Sequence, residues 1–137
     1  MTAFVYEAEK YRPEGIQILG ISVQGADEGK KLRDRVMEDS REDRPGMSLN
    51  PFPVRFLCDP AGDLIRKAGA VRESDKRGFI ARPMSIIVDR EGIVRWMYTG
   101  DGSPADRPGP TRLANIAVAV GQGKDLPEKS PSSSWGD

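Results

Sequence analysis

The stretch ARPMSIIVDREGIVRWMYTG, residues 81–100, restricts the fold more than any other part of the chain. Two runs of β-branched and aromatic residues, Met84–Asp89 and Ile93–Thr99, flank the tetrapeptide DREG. That pattern predicts a β-hairpin, with Gly92 at the turn position that needs a positive φ. Trp96 and Tyr98 are two residues apart, so they share one face of the second strand, the side expected to be core. A hairpin can pair only antiparallel. Whatever precedes it must therefore join an antiparallel element at the end of the chain's sheet.

The residues before the hairpin alternate between helix and strand. TAFVYEAEKYR places Phe4, Ala8 and Tyr11 at helical spacing, with Thr2 as a candidate N-cap and Pro13 and Gly15 as a stop. Ile16–Val23 is a nearly continuous apolar run, the composition of a strand covered on both faces. A charged segment from about Asp27 to Ser40 carries a narrow stripe of Leu32, Val36 and Met37 and reads as a surface helix with i,i+4 charge pairs. RPGMSLNPFP holds three of the 11 prolines and is a loop leading to a short strand, Val54–Cys58. A helix follows, with Asp59 expected as N-cap, Pro60 at the first helical position and Gly69 at the stop. RESDKRGF (72–79) reads as a polar loop. After the hairpin and the loop GDGSPADRPGP comes a helix presenting Leu113, Ile116, Ala117 and Val120 on one face. The order α-β-α-β-α-β-β-α predicts an α/β fold with a mixed sheet and helices on both faces. Residues 1–123 are expected to form one domain. Residues 124–137, rich in Pro and Ser, are expected to be a flexible tail.

Composition excludes several chemistries. The chain has no histidine, which removes His-based metal sites and Ser-His-Asp or Cys-His arrangements. It has one cysteine, Cys58, so neither an internal disulfide nor a Cys-x-x-Cys pair is available. Lys plus Arg equals Asp plus Glu at 21 each, with no purely basic run, so nothing points to nucleic acid or an acidic membrane as partner. No apolar stretch approaches the roughly 20 residues needed to span a bilayer. No signal peptide is visible, and a cytoplasmic location is the default expectation.

Four segments, in order, resemble the alkyl hydroperoxide reductase/thiol-specific antioxidant group of redoxins and peroxiredoxins, over about residues 3–120. YEAEKYRPEGIQILGISV is similar to the segment after that family's active-site turn. FPVRFLCDPAGDLIRKAGA is similar to its FP…L.DP.G…A.YGV segment, with Cys58 before the Asp-Pro pair. ARPMSIIVDREGIVRW is similar to its R-P-x-x-F-x-I-D-x-x-G-x-I hairpin, with Ile86 in place of the phenylalanine. GDGSPADRPGPTRL resembles the loop and helix start that follow. The resemblance implies a thioredoxin-like three-layer sandwich and thiol-dependent reduction of hydroperoxides or disulfides. It implies thioredoxin or another small thiol as electron donor, and no metal or organic cofactor.

The same resemblance implies that Pro83 forms a cis bond beside the active-site turn and leaves a backbone edge for substrate. It also implies that Arg82 helps hold the thiolate and peroxide. The bland alternative is a strand-initiating proline preceded by an exposed arginine. The family's nucleophilic cysteine belongs at the start of the helix that here opens with Thr2, and the first strand belongs before that helix. Both are missing from the sequence as written. Three readings stay open: a truncated chain, a homologue without catalysis, or chemistry moved to Cys58, acting as a redox sensor or serving only as a small apolar residue. A sheet without its first strand would leave an apolar edge, which invites self-association or another protein and makes a non-catalytic interaction module the rival function.

Overall fold

A computed structural model describes residues 1–74, 78–100 and 107–126. The chain forms two compact units, Met1–Ala68 and Gly69–Asp137. Each is built around its own strand pair.

The first unit is a helix followed by a β-α-β crossover. Helix α1, Thr2–Tyr11, buries Val5, Glu7 and Ala8. Its inward face is thus centred on Val5 and Ala8, with Phe4 and Tyr11, expected on the buried stripe, only half-buried. Residues Arg12–Glu14 continue as a 3-10 turn that ends at Gly15, φ 78°. A positive φ there is cheap for glycine alone. Strand β1, Ile18–Ser22, then runs parallel to β2, Val54–Cys58, with Ile18 opposite Val54 and Ser22 opposite Cys58. A parallel pair needs a long crossover, and α2, Ala26–Asp43, supplies it. Gly29, Val36 and Ser40 are buried on α2, and Leu32 is packed between them, so the stripe runs at spacings of three and four. Val5, Ala8, Val36 and Val54 form the core, flanked by Ile18, Leu32, Phe52 and Phe56. Gly20 lets the Phe56 ring pack close on β1, since a Cβ there would lie 3.1 Å from it.

Within the first unit and among the described residues, one face of this strand pair packs on the helices. Leu19, Ile21 and Leu57 are 49%, 42% and 44% exposed on the other, which corrects the expectation that β1 is buried on both sides. The nearly continuous apolar run Ile16–Val23 could not show this. Apolar identity gives affinity for a cover and does not supply one.

After β2 the chain turns through Asp59–Gly62 into α3, Asp63–Lys67. The expected helix start at Pro60 is therefore too early. Gly62 N–H donates to the Asp59 carbonyl at 2.9 Å, closing a turn first. Asp59 still serves the helix: its carboxylate accepts the Ile65 N–H at 3.0 Å.

In the second unit β3, Val71–Ser74, pairs antiparallel with β4, Gly78–Ala81. This hairpin replaces the polar loop expected over 72–79. Its polar composition hid it, since the strands are held by backbone ladders more than by an alternating apolar face. Strands β5, Met84–Val88, and β6, Val94–Thr99, form the second hairpin as expected, with a bulge at Ile87/Val88. Helix α4, Pro110–Gly121, starts with proline at its first turn. Ile87, Trp96, Tyr98 and Ile116 make the core, with Leu113, Ala117 and Val120 packed on it, so the predicted helix face and the Trp96/Tyr98 face both lie inward. The two rings stack with centroids 6.3 Å apart. Both parallel and antiparallel pairing occur, and among the described residues the strands are laddered two by two.

The β5–β6 turn is held by Asp89. Its Oδ1 accepts the amides of Glu91 and Ile93 at 2.9 and 3.0 Å, and its Oδ2 meets Arg95 Nε at 2.6 Å. Gly92, φ 83°, supplies the left-handed turn residue. The Ile93 amide, then the Arg95 guanidinium, holds the Asp89 carboxyl below its ordinary value. A carboxyl whose folded pKa is depressed stabilises the fold above its ordinary pKa, and the contribution is lost as pH falls through the lower folded value. Asp89→Asn is therefore expected to flatten the acid limb of stability below about pH 4. Thermal melts from pH 7 to 2.5 on both proteins check this, and parallel acid limbs would refute it.

Candidate functional site

The residues singled out from the sequence fall in two places, one in each unit. Cys58 is the last residue of β2, at the carboxyl end of the parallel pair, the edge where open α/β sheets place their sites. The next amide, Asp59 N–H, donates to Ser22 O at 2.7 Å and fastens the ends of the two strands together. The thiol donates to the Gly25 carbonyl across 3.6 Å. Gly25 caps α2, and Gly29 lies one turn in. A Cβ on Gly29 would meet Cys58 Sγ at 2.7 Å, so the glycine leaves the room the sulfur occupies and a larger residue would oblige the thiol to shift. Cys58 is nonetheless an exposed residue. Sequence reasoning missed Gly25 and Gly29. The available signal was a glycine inside an otherwise strongly helical charged segment, where it costs about 1 kcal/mol against alanine and so asks for a packing reason.

Arg82 and Pro83 join β4 to β5 in the second unit. Arg82 N–H donates to Ala70 O at 2.8 Å, and Gly100 N–H donates to Pro83 O at 3.0 Å. The Arg82 side chain folds back on the same corner, its Nη2 donating to Gly100 O at 3.1 Å. Its Nε is buried without a hydrogen-bond partner among the described residues. Arg82–Pro83 is not a cis bond. The cis X-Pro bond of the described residues is Asn50–Pro51, in the loop before β2, which corrects the expectation for Pro83. Among the described residues, no group of three or more Cys, Asp or Glu is placed to hold a metal, and no helix is long and apolar enough to cross a membrane.

A parallel pair with a thiol at its carboxyl end, followed by a hairpin entered through Arg-Pro, is the layout the sequence motifs suggested. The family model described as AhpC/TSA matches residues 1–97, which takes in α1 through most of β6. The chain belongs to the AhpC/TSA family. Among solved structures, the crystal structure of reduced Prx3 in complex with H2O2 from Vibrio vulnificus is similar at 16% identity and a TM-score of 0.50. The match covers 74% of this chain and 56% of that one, so this AhpC/TSA chain spans little more than half the length of its structural relative. The likeness supports an α/β, thioredoxin-like fold. No curated protein matches the chain.

Proposed function

We propose that this AhpC/TSA chain belongs to a thiol-dependent oxidoreductase that reduces hydroperoxides or disulfides, with thioredoxin or a similar small thiol as electron donor. The observation carrying the reading is the family match over residues 1–97. In such chemistry a thiolate attacks the peroxide O–O bond, releases an alcohol or water and becomes a sulfenic acid. A second thiol then condenses with it to a disulfide and water. Arg82 is the residue here suited to steady the anions, since its buried Nε is uncommitted. The nucleophile is the difficulty. Helix α1 carries no cysteine, and Cys58 is the single thiol of the 137 residues. The Cys58 sulfur lies against the Gly25 carbonyl and Gly29 at the start of α2.

The 137-residue chain is therefore expected to show no turnover above blank when NADPH oxidation is followed with hydrogen peroxide, thioredoxin and thioredoxin reductase, and Cys58→Ser is expected to match it. Turnover lost in Cys58→Ser would move the chemistry to that thiol and favour a Cys58 redox sensor. A second reading, a non-catalytic interaction module, is favoured by the exposed strip Leu19, Ile21 and Leu57 on β1 and β2, where β1 pairs among the described residues with β2 alone. It predicts self-association in sedimentation velocity at micromolar concentration, and a monomer throughout would count against it.

A further inference from the structure

At the amino ends of β1 and β2, away from Cys58, a cleft of about 250 Å³ opens in the first unit. Register places Ile18 and Val54 at this end and Ser22 and Cys58 at the other, about 13 Å away at 3.3 Å per residue. An occupant of the cleft would thus not touch the thiol. Ile16, Ile18, Phe52 and Pro53 give it apolar lining, and its polar lining residues are Arg12, Arg55 and Gln17. No carboxylate lines it.

The arginines are differently committed. Arg12 Nη2 donates to Pro51 O at 3.2 Å and pairs with Glu9 at 2.8 Å, which fixes the head group at the rim while its Nη1 and Nε stay unused. Arg12 is exposed and Glu9 half-buried, and solvent on the arginine's side weakens the pair, so Glu9 offsets the charge only in part. The Arg55 side chain makes no hydrogen bond or ion pair among the described residues. The apolar wall is fixed as well. Phe52 stacks on Phe56 at 6.3 Å and lies under the Arg33 guanidinium at 5.7 Å, which brings a third positive charge near. Arginine forks suit carboxylates, and the walls suit hydrocarbon. The volume is below the roughly 300–1,000 Å³ of pockets for drug-sized ligands, which limits the occupant's size.

We propose that this cleft binds a small organic carboxylate with a short aliphatic tail, the head group on Arg12 and Arg55 and the tail against Ile16, Ile18 and Phe52. The site is independent of the thiol chemistry, and its test does not depend on peroxidase activity. The probe is hexanoate, titrated into the isotopically labelled full chain and followed by amide shifts in nitrogen–proton correlation spectra. Hexanol serves as the uncharged control and acetate as the control without a tail. Saturable shifts at Ile18, Phe52 and Arg55 are expected, with hexanol and acetate each weaker by about tenfold. Arg55→Ala is expected to weaken hexanoate by about tenfold, with Arg55→Lys keeping part of the affinity. The proposal is overturned if hexanoate produces no saturable shift, if hexanol or acetate binds equally well, or if Arg55→Ala leaves binding unchanged while its spectrum elsewhere stays native.

Discussion

Trp96→Ala is expected to destabilise the second unit by about 3–5 kcal/mol. Trp96 is 5% exposed, lies opposite Ile87 on β5, stacks along Tyr98 and forms the core with Ile116 of α4. Truncation removes the largest apolar surface in that core and leaves a space the hairpin cannot close, because the backbone ladder fixes the distance between strands. A small domain has roughly 5–15 kcal/mol in total, so the loss takes a large share of the margin. Urea titrations followed by far-ultraviolet circular dichroism measure it. Trp96→Phe, which keeps a ring on Tyr98, should recover more than half the loss. A cost below about 1 kcal/mol for the alanine variant would mean that the indole is not the centre of this core.

The second large effect belongs to the first unit. Val5→Asp places a carboxylate at a position with 0% exposure, packed with Ala8, Val36 and Val54. Among the described residues its core neighbours are apolar, so the acid must be buried uncharged or the helix must leave its seat. A loss of several kcal/mol is expected, enough to unfold the unit at pH 7. Leu19→Asp is the informative partner. Leu19 is equally apolar but 49% exposed, so its replacement is expected to leave the fold intact within about 0.5 kcal/mol. If the Leu19–Ile21–Leu57 strip is a protein contact, Leu19→Asp should also shift sedimentation toward monomer. An unfolded Leu19→Asp protein, or a folded Val5→Asp one, would reverse the assignment of inner and outer faces.

Much of the fold was legible because its signals are local. The hairpin at 84–99, strand 54–58, the long charged helix and the last helix with Leu113, Ile116 and Val120 inward were all readable from periodicity and turn residues. The misses share a cause too. The polar β3–β4 hairpin is specified by pairing rather than by its side chains, and the delayed start of α3 follows from Asp59 preferring first to close a turn. The candidate site was half legible. Cys58 and Arg82 could be named from motifs, but the trans link at Pro83 and the notch of Gly25 and Gly29 under the thiol depend on residues 18 to 33 positions away in sequence.

What the amino-acid sequence determined by itself was the elements with strong local periodicity, the AhpC/TSA resemblance, and the absence of histidine and of any second cysteine. Those are properties of neighbouring residues and of composition, which no folding can alter. Tertiary structure alone decided which face of β1 is covered, where the Cys58 sulfur rests, and that Arg12 and Arg55 meet at one cleft. Each of these is a distance between segments brought together by the β1–β2 ladder, and a chain's local preferences hold no record of such distances until the ladder forms.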